Sequence, residues 1–116
     1  MLGAIRGAVG VSDDTRPAIR DATARLVRRV MERDRLAPAD VECLWFTMTP
    51  DLTADVPPLV LREEGILDVP ALCAADPVWE GAPQRTIRVM ALARIGDDLP
   101  VDHVHPEGAG RDRPRR

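Results

Sequence analysis

Thr86-Ile87-Arg88-Val89-Met90-Ala91-Leu92-Ala93 reads as a β-strand interrupted by a single charge. Its β-branched and aliphatic members predict the longest strand of the chain, over residues 85–95. A second run of the same kind, Leu2 to Val11, holds Arg6 among small and aliphatic residues. A guanidinium does not shed its proton, and setting it among aliphatic side chains costs on the order of several kcal/mol unless an anion meets it. The two strand arginines therefore predict a negative group nearby.

Outward from these strands the chain alternates clearly. Ser12-Asp13-Asp14-Thr15 offers oxygen-bearing caps and Pro17 falls in the first turn of the helix that follows. Ile19, Ala22, Leu26, Val27, Val30 and Met31 recur at helical spacing. Arg16, Arg20, Arg25, Arg28, Arg29 and Arg33 lie mostly elsewhere around that helix, interleaved with Asp21, Glu32 and Asp34, which reads as a solvated mixed-charge face. Val41 to Thr49, ended by Pro50-Asp51, predicts a buried strand. Pro57 to Gly65 has proline at the start and glycine at the end, the signature of a short helix, with Arg62 in its last turn. Asp68 to Cys73 is expected as a short strand, Ala74 to Gln84 as a loop, and Val101 to His105 as the last strand.

This order predicts an α+β or α/β domain with a mixed sheet, covering 1–107, followed by a flexible arginine-rich tail at 108–116. One long helix and one short one cover only part of a sheet, so an oligomer is expected.

The 116 residues, 45% hydrophobic, suffice for one compact domain. Aromatics make up only 3%, so base-stacking platforms for nucleic acid are scarce. The net charge is -3, and the tail from Gly108 contributes +3, which leaves the body at -6. An acidic body does not draw in polyanions, and a small anion held by a few local arginines fits better. All 16 basic side chains are arginine, which excludes a Schiff-base lysine.

Cys43 and Cys73 form no CxxC pair, and reduced thiols in the cytoplasm are expected. The first residues lack a charged segment ahead of an apolar core, no run approaches membrane-spanning length, and a soluble protein is expected.

GxxxxGK[ST], GxGxxG and HExxH are absent from the sequence. His103 and His105 alternate on a predicted strand, but two histidines without a third ligand are weak evidence for a metal. Cys73 and His105 as nucleophile and base have nothing in the sequence to bring them together. What remains is a set of arginines, Arg6, Arg62, Arg88 and Arg113, with an acid, Asp76, and a thiol, Cys73, which suits a dicarboxylate ligand. The charge pattern equally allows Arg6 and Arg88 to be neutralised internally by Asp76 or Asp51. Composition leaves both readings open.

Ile5-Arg6-Gly7-Ala8, Thr49-Pro50-Asp51-Leu52, Arg62, Val69-Pro70 with Cys73, Ile87-Arg88-Val89-Met90 and His103-Val104 follow one another over residues 5–107. In order and spacing they resemble the monofunctional, trimeric class of chorismate mutase. The resemblance implies a ferredoxin-like subunit in a pseudo-α/β-barrel homotrimer, with active sites in clefts between neighbours. It implies rearrangement of chorismate to prephenate in aromatic amino acid biosynthesis, with no cofactor, no metal and no covalent step. By that similarity Arg88 reaches the ether oxygen and a carboxylate, and Arg6 the enolpyruvyl carboxylate. Arg62 enters from the neighbouring subunit, Asp76 and Cys73 contact the ring hydroxyl, and Arg113 in the tail helps to close the pocket.

Several positions depart from the family pattern. Asp76 stands where Glu is usual and Val56 replaces an aromatic wall. Leu59 takes a position that can be Lys, and His105 one that is usually Tyr, adding a side chain that titrates near neutral pH. The same departures motivate a rival expectation, a trimer that binds chorismate or a similar dicarboxylate as a sensor or partner subunit without useful turnover. Binding of RNA by the helix and tail arginines is a third reading, which the acidic body disfavours.

Overall fold

The computed structural model describes residues 1–96. The elements are β1 (Leu2–Gly10), α1 (Arg16–Arg33), a 3₁₀ turn (Pro38–Asp40), β2 (Val41–Met48), α2 (Pro57–Glu64), β3 (Ala71–Ala75) and β4 (Thr86–Arg94). The strands form one 4-stranded sheet in the order β1-β4-β2-β3. β4 pairs antiparallel with β1 and β2, whereas β2 and β3 run parallel, so the sheet is mixed. The expected strand at 101–105 and the tail lie outside the described residues, as do His103, His105 and Arg113.

α1 begins where the cap signal puts it: the Thr15 hydroxyl accepts the Ala18 N–H, and proline occupies the first turn. The helix buries Ile19, Ala22, Leu26, Val27 and Val30 as the periodicity predicts, and adds Thr23, whose hydroxyl folds back onto the Ile19 carbonyl at 2.8 Å. Met31 is only partly buried. α2 opens on its two prolines and stops at Gly65, whose φ of 63° is the left-handed cap that glycine adopts without strain.

The helices lie on one face of the sheet. Ile5, Val9, Leu44, Phe46, Met48, Ile87, Val89 and Ala91 face them and form the core with Ile19, Leu26 and Val30. The arginine expectation is corrected here. The pleat sends alternate residues of β1 and β4 to the opposite face, so Arg6 is exposed and Arg88 half-buried, neither enclosed by the aliphatic residues flanking it in sequence.

All four strands also shift their limits by one to three residues, and β3 runs on to Ala75, two residues into the expected loop. β4 starts at Thr86 because Arg85 has a φ of 43°, outside any strand. β2 ends at Met48, since Thr49 turns to accept the Thr86 N–H on its hydroxyl at 3.0 Å. β3 starts three residues later than expected: Pro70 has no N–H to give the ladder, and only its carbonyl joins, accepting from Leu44 at 3.0 Å.

Candidate active site

The register defines the face left open by the helices. Ala8, Arg88, Thr47 and Ala74 form one rung across the four strands, and Arg6, Met90, Trp45 and Leu72 form the next. Arg6 is therefore the diagonal neighbour of Arg88, roughly 7 to 8 Å away between backbones. Met90, Trp45 and Leu72 are 39%, 48% and 65% exposed, so three large apolar side chains in a row end on an arginine. Among the described residues, no helix covers this face.

Arg88 stands on β4, a strand paired on both sides, which fixes its backbone. Its Nε lies 3.5 Å from the Asp76 carboxylate, with side chains 37% and 16% exposed. Asp76 is placed by its own N–H, which bonds the Met48 carbonyl at 2.8 Å. Of the two internal partners foreseen for the strand arginines, Asp76 meets Arg88. Asp51 instead accepts the Arg85 N–H at 3.0 and 3.1 Å, holding that strained residue at the entrance to β4. Thr49-Pro50-Asp51 is thus a clasp between β2 and β4.

The ion pair opens onto a cleft of about 500 Å³ lined by Thr49, Pro50, Asp51, Asp76, Pro77, Val78, Trp79, Ala82, Pro83, Gln84 and Arg88. Arg62 lines a different cleft of about 710 Å³, between α2, Trp45, Ala71 and Leu72. Val56 caps the start of α2 and Leu59 projects from it, both exposed and neither on the Arg88 cleft. Within one chain, then, the fold brings Arg88 and Asp76 together and holds Arg62, Val56 and Leu59 apart from them. Arg6 is on the same face but outside both linings.

Cys73 is paired with Phe46 and packs partly against the core, and burial, helped by the charge of Asp76, pushes its thiol above the usual range. A thiol so placed is a poor nucleophile. Pro70 and Asp76 both point their backbone groups at β2, so by alternation Cys73 turns its own N–H toward the outer edge of the sheet. The Cys73 main-chain N–H is thus the polar group this position offers at that edge, while its thiol reaches the Ala74 carbonyl at 4.0 Å. Sequence reasoning missed two residues near Arg88. One is Trp79; the other is Thr47, whose buried hydroxyl finds no hydrogen-bond partner among the described residues and sits on the Arg88 rung. The period-two pattern could have placed Thr47, because it shares a face with Trp45.

No group of three or more His, Cys, Asp or Glu that could hold a metal ion occurs among the described residues. Residues 2–116 match the family described as chorismate mutase type I. The chain belongs to that family. Membership makes it a chorismate mutase, an isomerase. It is 36% identical to the chorismate mutase AroH of Thermus thermophilus over 98% of this chain and 95% of that protein. It is 33% identical to the AroH of Bacillus subtilis (strain 168) over 90% and 81% of the respective chains. Its fold superposes on a solved chorismate mutase from Clostridium thermocellum with a TM-score of 0.81 and 32% identity, covering 92% of this chain and 96% of that one. A mixed sheet with two helices is therefore the architecture of this chorismate mutase and of that neighbour alike.

Proposed function

We propose that the protein converts chorismate to prephenate in the Arg88–Asp76 cleft, completed by α2 of a neighbouring subunit in a homotrimer. The observation that carries the site assignment is Arg88 itself: a permanent cation on a doubly paired strand, at the wall of an open cleft, with a carboxylate at 3.5 Å to orient it. The rearrangement breaks a C–O bond and forms a C–C bond within one molecule, and no proton need move. The enzyme's task is to hold the flexible dianion compact and to meet the negative charge that grows on the ether oxygen. Arg88 does the second from a rigid base and needs little reorganisation. Arg6, diagonal to it on the same face, takes a carboxylate, and Asp76 with the Cys73 main chain takes the ring hydroxyl.

The trimer is supported by the open sheet face. Met90, Trp45 and Leu72 form an apolar row that a lone chain leaves in water. Arg62, Leu59 and Val56, exposed on α2 and away from Arg88 in their own chain, become the opposite wall when a second copy approaches. His105 and Arg113 are assigned to the same pocket by family resemblance. A cytoplasmic address suits Cys43 and Cys73, both unpaired and half-buried, and no helix among the described residues is long and apolar enough to cross a membrane.

The test follows loss of chorismate's diene absorbance with the purified full chain and identifies the product as prephenate. Sedimentation run alongside gives the subunit number. Saturable turnover by a trimer is expected. Tight chorismate binding without prephenate formation would transfer the protein to the sensor reading, and a monomer with full turnover would remove α2 from the site.

A further inference from the structure

We propose that Trp79 is a substrate-contacting residue, its indole forming the apolar wall on which the carbocyclic ring of the bound dianion rests. The proposal deepens the functional reading above and rests on it. The cleft combines two chemistries: Arg88, Asp76 and Asp51 supply charge, while Pro77, Val78, Pro83 and Trp79 supply apolar surface. Its volume of about 500 Å³ falls within the range of pockets that enclose small organic ligands, roughly 300 to 1,000 Å³. Charge alone would bind any dicarboxylate; an aromatic face beside it selects one that carries a ring.

The indole is not in the core. It is 39% exposed, and Val78 beside it is 83% exposed, so burial does not explain its position. The loop's backbone does. The Trp79 carbonyl accepts the Ala82 N–H at 3.2 Å, closing a turn, and Gly81 takes the positive φ, 85°, that the third position of a type II turn requires. A Cβ at Gly81 would lie 3.3 Å from the indole's six-membered ring, so the ring lies close over that glycine. The turn thus fixes a large aromatic plane beside Arg88 and Asp76 without core packing. That arrangement suits a wall that must remain open until a ligand arrives.

The chain has two tryptophans, so Trp45→Phe leaves Trp79 as the sole indole reporter. Emission is titrated with prephenate, whose unconjugated ring does not absorb where chorismate does, and turnover of chorismate is measured on the same preparations. The wild type compared with Trp79→Phe gives the same information should Trp45→Phe disturb assembly. Expected are a saturable emission change in Trp45→Phe, and a KM raised about tenfold in Trp79→Ala with kcat within about threefold of wild type. Trp79→Phe, which keeps an aromatic face, should fall between. Normal turnover with silent emission, or an unchanged KM in Trp79→Ala, overturns the proposal. If the wild type shows no turnover, the functional reading fails on its own, and Trp79 then stands or falls on whether prephenate alters its emission.

Discussion

Replacing Arg88 by alanine separates catalysis from stability because the structure assigns very different magnitudes to the two. Removing a preorganised donor aimed at developing charge costs typically about 2.7 to 4 kcal/mol, a loss of about 10²- to 10³-fold in kcat. The structural loss is far smaller. The Arg88 side chain is over a third exposed and its contact with Asp76 is 3.5 Å, and pairs of that kind contribute about 0 to 1 kcal/mol. For a domain near 100 residues, 1 kcal/mol corresponds to about 4 to 8 °C in melting temperature. Arg88→Ala should therefore melt no more than about 8 °C below wild type while retaining at most about one part in 10² of kcat. Arg88→Lys keeps the charge but loses the planar fork of donors, and should recover little activity. The assay is chorismate loss under saturating substrate, with circular dichroism melting and sedimentation on the same samples. A folded Arg88→Ala protein of unchanged assembly with kcat within about threefold of wild type refutes the assignment, because no other described cation lines that cleft.

Other perturbations probe the frame around it. Ile87 is fully buried on the helix side between Val9 and Met48, and Ile87→Ala should cost about 2 to 5 kcal/mol in a denaturant titration. Thr47→Val replaces a buried hydroxyl that has no partner among the described residues, so it should leave stability unchanged or raise it by up to about 1 kcal/mol; a loss of activity at undiminished stability would show that the hydroxyl serves binding or assembly. Arg20 donates to Glu63 at 2.9 Å and Glu64 at 2.6 Å and reaches Asp55, tying α1 to the segment that carries Arg62. The Glu63 carboxyl is held below its usual range, chiefly by that hydrogen bond, and Asp14 below its own by the Thr53 amide. A carboxyl depressed on folding stabilises above its unfolded value, and the contribution is lost as pH falls through the folded one. Melting temperature should fall on acidification below about pH 4, and Arg20→Gln should flatten that acid limb while lowering the neutral-pH value.

The local elements were legible because each is set by short-range chemistry. Thr15 and Pro17 start α1, the prolines and Gly65 bound α2, and the aliphatic spacing of Ile19 to Val30 selects the buried side. What misled was a run such as Ile87-Arg88-Val89, in which composition looks uniformly apolar although the strand alternates. The parity of the run was readable, since Ile5, Gly7 and Val9 share one phase and Arg6 and Ala8 the other; which phase met the helices was not. Asp76 could be suspected as the partner of Arg88, but its choice over Asp51 depended on Asp51 being claimed by the Arg85 amide across the sheet. Trp79 escaped notice because a loop indole has no periodicity, and its place is fixed by one turn and one glycine.

The two arginines in apolar runs carry a different cost once their face of the sheet is known. The lone chain carries only part of the desolvation cost of Arg6 and Arg88, because Arg6 is exposed and Arg88 half-buried. That cost arises when another body covers the open face, where Arg6 ends the row Met90, Trp45 and Leu72. Covering the row gains apolar burial but removes water from cations, and the second effect opposes the first unless an anion is present. Asp76 offsets it for Arg88. In the proposed trimer the dianion brings further negative charge to the covered face, so assembly and substrate binding favour one another. The pleat of a single sheet thus puts charges that are tolerable in water and costly when covered on the face that the proposed trimer would share between copies.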